Sequence, residues 1–180
     1  MPFDGNTVTT KSLGGSESAA FYLARELARR GHRVSCWTST DKDVHVDGVN
    51  YCAVGPHSQE FPLGERFDHY ASHTPLDVLI MQRQPHAFHK KWNAKVCIWQ
   101  LHDLALYRSA AHVLNGLWQI DAVTTVSQWH ADQVKKVWGL SDDILRVVPN
   151  GVDRFTQPLL DRMPLALVLG LQGAACGQTL

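Results

Sequence analysis

Short apolar runs alternate along this chain with stretches in which apolar residues recur at helical spacing. Ala20, Leu23, Ala24, Leu27 and Ala28 share one helical face while Arg25, Glu26, Arg29 and Arg30 fall elsewhere, which predicts an amphipathic helix laid on a sheet and stopped by Gly31. Strands follow at Arg33 to Thr38 and Val49 to Val54, with a polar turn region between them. Further runs at Asp77 to Met81, Lys95 to Gln100, Ala122 to Val126 and Leu145 to Val148 are near-continuous in apolar character, as suits parallel strands covered on both faces. Between the last three lie two helical patterns, Leu104 to Trp118 and Gln128 to Trp138, the second capped by Ser127 and ended by Gly139. This alternation predicts a doubly wound, Rossmann-like parallel α/β sheet.

Both ends depart from a complete version of that fold. The pair Gly14-Gly15 opens the first helix, and such a turn belongs after a buried apolar strand. Met1 to Leu13 instead holds a turn-like Asp4-Gly5-Asn6 and only Val8 as an apolar residue in its middle. The first strand is therefore expected to be missing, with Thr7 to Thr10 at best a weak substitute. No charged residue occurs after Arg162, and Gly170 to Leu180 is small and neutral. The expected division is a Rossmann-like domain over 1–153, incomplete at its start, and a linker with a truncated or frame-shifted tail over 154–180. Within that tail, Leu165 to Leu169 could open a second domain.

Composition narrows the function classes. A chain of 180 residues suits one α/β domain, which buries roughly 70% of the surface its unfolded form exposes. Lys plus Arg and Asp plus Glu each number 17, so the balance does not favour nucleic-acid binding. Cys36, Cys52 and Cys97 each sit inside an apolar run and Cys176 in the tail; with no C-x-x-C pair they read as reduced residues of a cytoplasmic protein. No apolar run is long enough to span a bilayer, and the start lacks a signal-peptide pattern. The ten histidines include His69 with His73 and His86 with His89 at helical spacings, but neither pair has the glutamate or cysteine partners of a metal site, so none is expected.

The chemistry is concentrated at Gly14-Gly15-Ser16-Glu17. Glycines ahead of a helix let bare N–H groups approach an anion, and the positive end of the helix dipole adds to the attraction, so a phosphate-bearing ligand is the first expectation.

These residues, the helix through Arg30-Gly31-His32-Arg33-Val34, then Leu101-His102-Asp103, Val123 to Ser127 and Val147-Val148-Pro149-Asn150-Gly151-Val152-Asp153 resemble, in their order, the N-terminal half of glycosyltransferase family 4. The resemblance implies a retaining enzyme of GT-B architecture, in which two Rossmann-like domains face each other across a cleft. The first domain mainly holds the acceptor and the second a nucleotide-sugar donor, with no cofactor or metal. Such enzymes carry donor-binding paired glutamates in the second domain, and no glutamate follows Asp153 here. The expectation is therefore an acceptor-side fragment, inactive in hexosyl transfer by itself.

Each candidate residue has a plainer alternative. Gly14 and Gly15 would contact the donor diphosphate or an acceptor phosphate, or form an ordinary helix start; Glu17 would touch a ligand or simply favour the helix dipole. His102, at a strand's carboxyl end, would by resemblance line the cleft and hydrogen-bond the transferred sugar, or be structural. Asp103 would orient His102 or cap a helix, and Ser127 would meet a phosphate or only cap. Asn150 and Gly151 would contact the cleft or form a turn with positive φ. Arg25, Arg29, Arg30, Arg33 and Lys135-Lys136 could touch an anionic membrane if the acceptor is a lipid, or line a solvated face. Two other classes stay open. One is a non-catalytic remnant or interaction module. The other is a nucleotide-cofactor oxidoreductase, which needs G-x-G-x-x-G and an acid near the end of the second strand.

Overall fold

Helix and strand alternate in the order the apolar runs require. A computed structural model describes residues 2–88, 90–106 and 110–151. Its elements are α1 (Thr7–Thr10), α2 (Gly15–Arg29), β1 (Val34–Thr38), β2 (Val44–Val46), β3 (Val49–Ala53), α3 (Glu65–His73), β4 (Leu76–Gln82), β5 (Ala94–Gln100), α4 (Ala110–Gly116), β6 (Ala122–Thr125), α5 (Gln128–Trp138) and β7 (Leu145–Val147), with 3₁₀ turns at Pro85–Phe88 and Leu117–Gln119. The tail expected over 154–180 lies outside the described residues.

The strands form two sheets. One has the order β1-β3-β2, with β1 parallel and β2 antiparallel to β3; the other runs β4-β5-β6-β7, all parallel. The hairpin between β2 and β3 turns at Asp47-Gly48, both with positive φ, the backbone a two-residue hairpin demands. This strand occupies the region expected to be a polar turn.

Apolar alternation decides which helix covers which face. Leu79 and Met81 of β4, Cys97 and Trp99 of β5 and Val123 of β6 are buried against Phe67 and Ala71 of α3, Val113 of α4, and Val134 and Trp138 of α5. The Trp99 and Trp138 rings stack at 5.3 Å. On β1, Trp37 turns toward that core and meets Phe67, whereas Val34 and Cys36 turn the other way, toward Phe21 and Ala24 of α2, Val49 and Tyr51. Helices α2 and α3 therefore lie on opposite faces of β1, as in a doubly wound, Rossmann-like arrangement. The face of β4 and β5 opposite α3 carries Val78, Ile80, Val96 and Ile98, which belong to neither core, and Val78 is 50% exposed. Of the four runs expected to be covered on both faces, β4 and β5 are thus less covered on this face among the described residues.

Three local expectations change. Thr7–Thr10 is a single helical turn, not a weak strand: the Asp4 carboxylate accepts from Asn6 N–H and Thr7 N–H and Oγ1, which curls the backbone. No strand occurs among residues 2–13, as the sequence led one to expect. Residues 104–106, expected to open a helix, are not helical: Ala105 and Leu106 give their backbone groups to α5 side chains instead. Helix α3, unassigned in the sequence, begins after Gly64 (φ 98), where a Cβ would stand 2.4 Å from the Val54 carbonyl oxygen.

Candidate functional site

Parallel strands deliver their following loops to one edge, and four of those loops carry the candidate chemistry. At the start of α2, Gly14 is extended and Gly15 helical; neither has positive φ. A Cβ on Gly15 would meet nothing within 4 Å, so the chain's own packing does not require glycine there. The Glu17 carboxylate folds back over Gly14 and accepts from Ser16 Oγ at 2.9 Å.

Arg83, which follows β4, joins this turn to the loop after β5. Its Nε and Nη2 donate to the two carboxylate oxygens of Asp103 at 2.6 and 3.3 Å, and its Nη1 to Ser16 Oγ at 3.4 Å. Its φ of 67° is left-handed and non-glycine, a conformation that costs roughly 1–2 kcal/mol. Ser16, Glu17, Thr38, Gln82 and Arg83 line an open cleft of about 160 Å³ between the ends of β1 and β4. Sequence reasoning missed Arg83, although a lone cation immediately beyond a buried strand was a usable signal.

His102 follows β5 half-buried, and its Nε2 is buried with no hydrogen-bond partner among the described residues. Burial pushes its imidazole below the ordinary 6.5; Asp103 and Glu17 oppose that shift, while Arg83 and His130 add to it. The ring is therefore chiefly neutral at pH 7. Asp103 pairs with Arg83, and its carbonyl meets Nε2 of the buried His130 at 2.9 Å. Its side chain does not cap a described helix.

Ser127 is the α5 cap: its Oγ accepts from His130 N–H at 3.2 Å, and Gly139 closes the helix at φ 68°. Asn150 and Gly151 are exposed on the same carboxyl edge, beyond β7, and neither has positive φ, so of the two alternatives for them the left-handed turn does not hold. The structure thus links Ser16 through Arg83 to Asp103, and Ser127 through His130 to the same Asp103; among the described residues Asn150 and Gly151 make no hydrogen bond to this group.

The remaining candidates resolve locally. Glu26 pairs with Arg29 and Arg30, and Lys135 with Asp142, so those cations are partly matched by acids. No helix among the described residues is long and apolar enough to cross a membrane. The His69 and His73 rings lie 4.4 Å apart, tilted by 31°, and among the described residues no three His, Cys, Asp or Glu side chains group as metal ligands; His89 and the His86 side chain lie outside that description. Burial raises the Cys36 thiol to about 12, the neighbouring Cys52 adding to it. The end of β1 carries Thr38-Ser39, not the acid a dinucleotide-cofactor site requires.

A family model described as Glycosyltransferase Family 4 matches residues 13–154. Comparison with curated proteins returns no match.

Proposed function

Given that the chain belongs to glycosyltransferase family 4, we propose that it supplies the acceptor-side wall of a retaining transfer of a hexosyl group from a nucleotide-sugar, and that these 180 residues do not turn over alone. The observation that carries this proposal is the bridge from Ser16 through Arg83 to Asp103, which sets the α2 turn and His102 at one strand edge.

In the proposed reaction the acceptor hydroxyl attacks the anomeric carbon on the face that the diphosphate leaves. The new C–O bond forms as the bond to phosphate oxygen breaks, and the hydroxyl proton passes to that leaving oxygen. No protein nucleophile is needed; positioning and electrostatics lower the barrier. The neutral His102 hydrogen-bonds a hydroxyl of the transferred sugar. The N–H groups at Gly14-Gly15, with open space before Gly15, face the phosphates or an acidic acceptor group. Arg83 is a positioning residue that holds Asp103 and hence the His102 loop. The acceptor is a sugar, lipid or protein hydroxyl.

The test is nucleotide release from several nucleotide-sugars with a panel of hydroxyl acceptors. No release above the protein-free rate is expected from the chain alone, and turnover by it would refute the need for a second half. Titration with sugar phosphates, followed by NMR of the imidazole, should move His102 first; an unresponsive His102 would remove it from the site.

A further inference from the structure

The three-stranded sheet carries an aromatic and polar pocket on the face away from α2. Val49 and Tyr51 of β3 are buried against α2, so by strand alternation Asn50 and Cys52 face the other way. Their registered neighbours Ser35 and Trp37 of β1 and His45 of β2 share that face. Helix α3 reaches it with Tyr70, whose ring meets that of Trp37 at 5.0 Å and an angle of 40°. These six residues help to line an open pocket of about 320 Å³, the size at which small-molecule sites begin.

The polar groups here are of both kinds and carry no net charge. Asp43 also lines the pocket, but its carboxylate accepts from Arg66 Nη1 and Nη2 at 3.0 and 2.7 Å and from Ala53 N–H at 2.9 Å. Charge is thereby cancelled at that wall, and neither a phosphate nor a cation is matched. His45 Nδ1 donates to Asn50 Oδ1 at 2.7 Å, which leaves His45 Nε2 to accept and Asn50 Nδ2 to donate. Ser35 Oγ and Tyr70 Oη make no hydrogen bond among the described residues. We propose that this pocket binds a neutral pyranose, as a saccharide site separate from the carboxyl-edge cleft. The C–H face of such a ring carries partial positive charge and packs on the electron-rich faces of Trp37 and Tyr70. Its hydroxyls, each both donor and acceptor, answer the amide, the imidazole and the two hydroxyl groups at the rim. An apolar guest would leave those four groups unsatisfied. The site does not rest on the transfer reaction proposed above.

Nitrogen-15 NMR of the intact 180-residue chain tests this, with the methyl glycosides of glucose, galactose and mannose and the trisaccharide maltotriose as probes. At least one of them should shift the Asn50 side-chain amide and the Trp37 indole N–H together, along a curve that saturates. Asn50→Ala removes an exposed amide and Tyr70→Phe removes only a hydroxyl, so both keep the packing. Each should weaken that sugar by about 5-fold. Absence of a saturating shift with all four probes would overturn the proposal, as would equal affinity in both variants. Tighter saturation of the same signals by uridine or by inorganic phosphate would overturn it too, since the pocket would then read a base or an anion. Saturation at Asn50 while His102 stays silent to sugar phosphates would uphold this site and remove His102 from the cleft.

Discussion

The four-stranded sheet is packed beneath three helices by Trp92, Trp99, Phe67, Phe88 and Trp138, whereas the buried set of the three-stranded sheet is Phe3, Phe21, Ala24, Val49 and Tyr51 beneath α2. Both use aromatic contacts, Trp99 on Trp138 at 5.3 Å and Phe21 on Tyr51 at 6.4 Å, but the first sits within many buried neighbours and the second near β1, an edge strand among the described residues. Trp37 is the side chain that crosses from the smaller sheet into the larger core. The difference teaches that one domain of this fold can hold units of unequal strength, with the glycine turn of the candidate site attached to the weaker and His102 to the stronger.

Five substitutions press on that contrast. Trp99→Ala should have the largest effect, a loss of about 3–5 kcal/mol read from the denaturant midpoint, with every strand losing exchange protection. Phe21→Ala should cost about 2–4 kcal/mol and deprotect β1 and β3 while β5 and β6 keep their protection. Deprotection of all strands together would show instead that the sheets unfold as one. Gly64→Ala, in the link between the sheets, should cost roughly 1–3 kcal/mol in thermal unfolding, since φ 98° and the Val54 carbonyl both exclude a side chain.

Arg83→Ala should change stability least, within about 1 kcal/mol, because its ion pair with Asp103 is exposed. Its readout lies in titration: with that positive charge gone, the His102 pKa should rise, measured by NMR. His102 also gives stability a sign with pH. Its folded pKa is depressed, so the unfolded chain binds the extra proton first. The contribution is whole above pH 6.5 and drains away as pH falls below 6.5 toward the folded value. His102→Asn should therefore flatten that part of the stability profile, by less than one proton's slope.

Much of the fold was legible because periodicity reports burial directly. β1, β3 through β7, α2 and α5 lie where the apolar patterns put them, and Ser127 and Gly139 end α5 by their side-chain and backbone preferences. Other parts were hidden for identifiable reasons. β2 alternates over three residues only, although Asp47-Gly48 announced its hairpin. In α3 the apolar stripe is interrupted by the buried Asp68, whose charge is met by Lys90 from far along the chain. At the site, His102 and Asp103 could be placed at a strand end. The joining role of Arg83 could not, because an ion pair across 20 positions leaves no local pattern.

The loop behind His102 has little freedom of its own. Along one side of α5, His130 grips the Asp103 carbonyl, Gln133 takes both backbone groups of Ala105, and Trp138 holds the Leu106 carbonyl. The backbone that follows His102 is thus held by one helix, so in the proposed site binding would spend less entropy on ordering this segment. Substitutions at His130, Gln133 or Trp138 would therefore reach the His102 segment from α5, through backbone contacts alone.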